Sequence, residues 1–190
     1  QELIKLLSIN VKSVQEMLHN LLQWANNNLN DISPNPSHVA ISRIVALELG
    51  NCAPLAKEKN IDLTHEEDPL TVVYLDPDHL SIIIRNLIGN AIKFTNRGGR
   101  VAVSYNQFEK HCEISVRDNG VGMSKDKIKN LFTLYGKEIS EFGTQNESGT
   151  GIGLNLVYDF VKSNHGDILV ESELGVGTTV RLIFPKINHA

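Results

Sequence analysis

The chain has 190 residues, of which 41% are hydrophobic and 21% charged, and carries a net charge of −4. That is enough for one good-sized domain plus an appendage, with an ordinary globular composition. The acidic balance gives no reason to expect nucleic acid or an anionic membrane surface as a partner, and no apolar run reaches the length of a membrane span.

No signal peptide is visible, and Cys52 and Cys112 match no metal or redox spacing. Both are expected to be small core residues in a reduced, cytoplasmic setting. The seven histidines form no ligand motif. A chain that opens on Gln1 rather than Met is expected to be a piece of something longer.

In residues 1–30, Ile4, Leu7, Val11, Val14, Leu18, Leu21 and Ala25 recur at alternating steps of 3 and 4. That is a heptad seam, and Leu3, Leu6, Met17, Leu22 and Trp24 widen it beyond a two-stranded zipper. A wide stripe fits a four-helix bundle, with a helix folded back on its own domain as the alternative. NNNLNDISPNPS (residues 26–37) reads as turn and linker.

Beyond it, Ser42 to about Lys59 reads as a helix, against the objections of Gly50 and Pro54. IDLTH and TVVYL read as short strands, and Pro77 to Phe94 as a helix with Asp76 as its cap. RVAVSYNQ and CEISVRD alternate as antiparallel strands that turn near Phe108–His111. SKDKIKNLF is a short Ser-capped helix, and residues 133–148 are polar and aperiodic, which predicts a mobile loop. GIGLNLVYDFVKSNH reads as a helix with Gly166 as its C′ residue, and DILVESE and TTVRLIF as a closing strand pair. Segregated strands and helices predict an α+β, two-layer sandwich: a mixed, mostly antiparallel sheet with helices on one face.

Three stretches carry chemistry. In RNLIGNAIKFT (residues 85–95), Asn86, Gly89 and Asn90 sit mid-helix, where each is a poorer helix former than Ala. Helical geometry sets Asn86, Asn90 and Lys93 on one side, turned from the apolar face of Leu80, Ile84, Leu87, Ala91 and Phe94. Amide oxygens are hard neutral ligands suited to Mg²⁺, an ammonium suits phosphate, and Gly89 permits close approach. A solvated polar face is the bland alternative.

In VRDNGVGM, Asp118 ends a strand and is followed by Gly120 and Gly122. A carboxylate there can accept from an adenine amino group and penalise guanine, whose carbonyl presents no proton; a plain Asx turn explains DNG equally well. In ESGTGIGLNLV, Gly149, Gly151 and Gly153 enter a helix, whose free N–H groups and dipole favour an anion, with Thr150 as a further donor. The spacing is neither a Rossmann nor a Walker loop.

Taken together and in this order, these motifs resemble those of the sensor histidine kinases. NLIGNAIKFT resembles their N box, DNGVG and GTGIGL their two glycine boxes, and ELGVGTT the closing Gly-x-Gly-Thr segment. LFTLY resembles the phenylalanine box, although Tyr135 stands where a second Phe is usual. The resemblance implies a GHKL ATP-binding fold, shared with gyrase and heat-shock chaperone ATPases, over residues 38–190. A linker at 31–37 and the second helix of a dimerisation and phosphotransfer bundle at 1–30 would precede it.

It further implies ATP and Mg²⁺ as cofactors, with Asn90 as the metal ligand, Asn86 and Lys93 at the phosphates and Asp118 at adenine. Gly120, Gly122, Gly149, Thr150, Gly151, Gly153, Leu154 and Thr178 would complete the nucleotide pocket, and residues 133–148 would be the ATP lid.

The phosphoacceptor setting, a His followed by an acidic residue and then a Pro, is not found: His19 precedes Asn20, and His65, followed by Glu66, precedes a strand. The expected activity is thus phosphoryl transfer from ATP to a histidine on a helix outside this chain, then to an aspartate of a response-regulator receiver domain. A homodimer through residues 1–30 is implied, with no nucleic acid and no direct membrane contact, in the cytoplasmic portion of a membrane-anchored sensor. The rivals are another GHKL ATPase, a protein-serine kinase of the same fold, and a non-catalytic nucleotide-binding scaffold that dimerises.

Overall fold

The computed structural model describes residues 34–66, 71–132, 143–145, 147 and 153–186. The heptad segment, most of residues 133–148, and Gly149, Thr150 and Gly151 lie outside them.

The elements run β1 (Ser37–Ala40), α1 (Ile41–Glu58), β2 (Asp62–His65), β3 (Val72–Leu75), α2 (Pro77–Phe94), β4 (Arg100–Gln107) and β5 (His111–Asp118). They continue with α3 (Lys125–Asn130), α4 (Gly153–Ser163), β6 (Asp167–Glu173) and β7 (Gly177–Pro185). Five strands form one sheet in the order β2-β4-β5-β7-β6, parallel only at β2–β4, while β1 and β3 make a separate antiparallel pair. Val101, Val103 and Tyr105 of β4, Ile114 of β5 and Leu182 of β7 are buried beneath the helices. This is the expected two-layer sandwich with a mixed, mostly antiparallel sheet. The β1 strand was not foreseen.

Helix α2 forms where capping and periodicity coincide. The Asp76 carboxylate accepts from the N–H groups of Asp78 (2.9 Å) and His79 (3.3 Å), and Pro77 takes the first turn at no hydrogen-bonding cost. The Thr95 hydroxyl donates to the Ala91 carbonyl (2.6 Å) at the other end. The buried face is wider than the sequence implies, because Ile83, Ile88 and Ile92 are buried together with Leu80, Ile84, Leu87 and Ala91. Phe94, expected on that face, is only half-buried, and the Lys93 and Lys127 ammonium groups lie 4.8 Å and 5.7 Å from its ring centroid.

Pro54 does fall inside α1. It deprives the Gly50 carbonyl of a helical donor, but both residues are exposed, so water can serve instead. Helices α1 and α4 end alike. Ile61 and Gly166 donate back to Ala56 and Val161 (both 2.8 Å), while Asn60 and His165 donate to Lys57 and Lys162. These are Schellman closures, in which the residue in left-handed conformation is Asn60 (φ 52°) in one and His165 (φ 59°) in the other. Gly166 is therefore not the C′ residue; it is glycine because a Cβ would come within 2.8 Å of the Phe184 ring. Cys52 and Cys112 are buried and form no disulfide, as expected.

Candidate functional site

The half-buried strip of α2 carries Arg85, Asn86, Gly89, Asn90 and Lys93 in an otherwise apolar helix. Asn86 donates its side-chain N–H to the Ile82 carbonyl (2.9 Å), which fixes the amide and leaves Oδ1 facing α4. That oxygen would lie 2.6 Å from a Cβ at Gly153, so a larger residue there would have to turn the Asn86 amide aside. Leu154 follows, half-buried and packed on the core. At Gly89 a Cβ would meet no other atom within 4 Å. The described protein thus gives no packing reason for this glycine.

Asp118 closes β5 and is held in a different manner. Its Oδ1 accepts from the Gly120 N–H (2.8 Å) and the Thr178 N–H (3.2 Å). Burial pushes its carboxyl above the ordinary range, and these two backbone donors only partly oppose that. The Thr178 and Ser172 hydroxyls pair at 2.9 Å, and Ser172 also accepts from the Met123 N–H (2.8 Å).

The glycines around Asp118 bring backbones together. A Cβ at Gly120 would overlap the Phe94 carbonyl, one at Gly122 the Glu173 carbonyl, and one at Gly177 the carbonyl of Asp118 itself. Val121 donates to Phe94 (3.1 Å) and accepts from Gly175 (2.8 Å), so residues 119–123 are sewn between the end of α2 and the β6–β7 turn. In this way the end of α2, Asp118, Gly120, Gly122 and Thr178 become one contiguous surface. Phe132, of the phenylalanine-box segment, stacks on Tyr158 of α4 at 5.2 Å.

One group was missed altogether. Lys59 is only 4% exposed, and it donates to the Ile92 and Lys93 carbonyls (2.8 and 2.9 Å), the Thr144 hydroxyl (2.6 Å) and Glu147 (2.9 Å). Thr144 also donates its N–H to Lys93 (3.1 Å). Burial pushes the Glu147 carboxyl upward, but the bond from Lys59 and backbone donors, with the Lys59 charge, outweigh it and leave the pKa lowered. The described end of the predicted mobile loop is thus tied to α2. Lys59 reads in sequence as one charge of the run KEKN, with nothing to mark it as buried.

A carboxylate at a strand end, a polar strip on α2 and a glycine at the start of α4 thus share one two-layer domain. Residues 75–188 match the family model of histidine kinase-, DNA gyrase B- and HSP90-like ATPases, and the chain belongs to that family. It is 42% identical over 108 residues to the histidine protein kinase DivJ of Caulobacter vibrioides, a match covering 57% of this chain and 18% of DivJ.

Among solved structures, the Acinetobacter baumannii histidine kinase AdeS superposes with a TM-score of 0.78 at 17% identity, over 99% of this chain and 86% of that one. The histidine kinase ThkA, solved in complex with the response regulator protein TrrA, gives 0.74 at 15% identity, over 98% and 51%. The chain is thus an ATPase-family domain similar to sensor histidine kinases, and it spans less than a fifth of the length of DivJ. Among the described residues, no helix is long and apolar enough to cross a membrane.

Proposed function

We propose that this domain binds ATP with Mg²⁺ and passes the γ-phosphoryl group to a histidine on a dimerisation helix outside this chain, for relay to a receiver-domain aspartate. The observation that carries the reading is Asp118. Among the described residues its carboxylate accepts two hydrogen bonds, both at Oδ1, which orient the group and leave Oδ2 to accept from an adenine amino group. Thr178 would stand beside Asp118 at the base, and Asn86, Lys93, Gly153 and Leu154 would surround the rest of the nucleotide, with Gly149, Thr150 and Gly151 as further donors. The partner reading is supported by ThkA, whose structure holds a response regulator.

The donor set suits Mg²⁺. Among the described residues no cluster of His, Cys, Asp and Glu offers a dedicated metal cage. A cation that keeps its waters and takes its other ligands from phosphate needs only the Asn90 oxygen. When bound, the ion neutralises charge on the phosphate oxygens. The chain's own residues do the rest by position: Asp118 fixes the base, and Asn86 and Lys93 fix the phosphates so that the γ-phosphorus faces an incoming imidazole. The bond from phosphorus to the β-bridging oxygen breaks, a phosphorus–nitrogen bond forms, and ADP leaves.

Dimerisation through residues 1–30, a linker at 31–37 and a place in the cytoplasmic portion of a membrane-anchored sensor belong to the same proposal. The test is transfer between chains. With radiolabelled ATP this chain should acquire no acid-labile, base-stable phosphate itself, yet should label a longer chain that has the acceptor helix and an inactive pocket, once heterodimers are demonstrated. Asp118→Asn should abolish most of that labelling. Strong self-labelling at any of the seven histidines would overturn the proposal.

A further inference from the structure

Lys59 closes α1 and is held at both of its ends. Its backbone carbonyl accepts from the Gly98 N–H (2.9 Å), and its side chain reaches the last turn of α2. A buried ammonium is costly unless fully paired, and this one has four acceptors. Two are carbonyls at the negative end of the α2 dipole, which favours a cation there. The other two, Thr144 and Glu147, come from a separate stretch of chain.

The Thr144 hydroxyl both accepts from Lys59 and donates to the Thr95 carbonyl (2.9 Å), and the second Glu147 oxygen accepts from the Gln145 N–H (2.7 Å). Gly143 passes so near that a Cβ would come within 2.6 Å of Lys93 Cγ. Buried ion pairs contribute little net stability compared with apolar packing, so the arrangement calls for a positional explanation.

We propose that Lys59 is a positioning residue for nucleotide binding, fastening Thr144 and Glu147 to the end of α2. Resting on the ATP-site reading above, the argument runs through both partners. Lys59 grips the carbonyl of Lys93, the residue read as a phosphate contact. It also grips Glu147, which stands two residues before Gly149 in the sequence. Lys59 itself touches no nucleotide.

The experiment measures ADP affinity with Mg²⁺ by calorimetry, hydrogen exchange at the Thr144 amide, which bonds the Lys93 carbonyl, and the melting midpoint without nucleotide. Glu147→Ala should free that amide and weaken ADP at least about tenfold, while the midpoint moves by only about a few degrees. Glu147→Gln, which keeps an acceptor for Lys59, should fall between wild type and Ala. Lys59→Met combined with Glu147→Ala should cost ADP binding no more than the worse single change, as for two members of one linkage.

If Lys59→Met does not fold, the two Glu147 variants decide alone. Unchanged ADP affinity in Glu147→Ala with the Thr144 amide freed would overturn the proposal, as would a Thr144 amide that stays protected. A wild-type chain that binds no ADP while protecting that amide would instead overturn the ATP-site reading and take this proposal with it.

Discussion

The two halves of the site are built on opposite principles. Around Asp118 the protein satisfies itself: Gly120, Gly122 and Gly177 admit backbones where any Cβ would collide, and Thr178 and Gly120 supply donors to the carboxylate. Along α2 the strip from Arg85 to Lys93 is half-buried, and Gly89 at its centre faces open space. One half is defined by contacts already made and the other by room left over. Substitutions in the first should therefore act through folding, and those in the second through ligand binding.

The largest effect is expected at Gly122. It combines a left-handed φ of 64° with a Cβ direction blocked by the Glu173 carbonyl. Gly122→Ala adds backbone strain to overpacking, a loss of about 2–5 kcal/mol in unfolding free energy. Urea denaturation without nucleotide measures it, and a loss below about 1 kcal/mol would mean the loop can move aside.

Asp118 sharpens the comparison because it belongs to both halves. Asp118→Asn should narrow the preference for ADP over GDP by about 1.5–3 kcal/mol, the worth of a charged hydrogen bond. Its pH dependence has two opposite signs. Burial raises the folded-state pKa above the unfolded value near about 3.9, so the native state gains stability as pH falls through the raised value. Adenine recognition by the carboxylate weakens over the same window. Compared with Asp118→Asn at each pH, wild type should gain relative stability on acidification and lose relative ADP affinity. Parallel affinity curves for the two proteins, with the stability curves diverging, would show that the carboxylate only caps its turn.

On α2, Asn90→Ala should weaken Mg²⁺–ATP by about 1.4 kcal/mol or more, a factor of ten, and metal-free ATP much less. The melting midpoint should hardly move, since the side chain is half-buried. Calorimetry with and without Mg²⁺ separates the two, and equal losses would remove Asn90 from the metal.

The sequence made α2 legible to the residue because Asp76, Pro77 and the apolar period all mark the same helix, Pro77–Phe94. Asp118 and its glycines were legible as a motif, but not as backbone packing, because collisions involve Phe94, Glu173 and Gly177, far away in sequence. Local rules failed where a distant contact decided the outcome. Gly166 was the natural choice for a left-handed residue, yet the Phe184 ring claims it and His165 takes the strained φ instead. Lys59 was invisible because its burial depends on four partners brought together only by the fold.

Gly89 carries the smallest and sharpest prediction. A glycine inside a helix costs roughly 0.5–1 kcal/mol relative to Ala, and here φ is helical and no neighbour obstructs a methyl group. Gly89→Ala should therefore raise the unfolding free energy by about 0.5–1 kcal/mol in the nucleotide-free protein. The methyl would stand between Arg85 and Lys93, in the space a phosphate would use, so ADP affinity should fall while stability rises. Denaturation and calorimetry on one preparation test both directions together. A stabilised protein with unchanged ADP affinity would mean the open space beside Gly89 is not where the ligand lies.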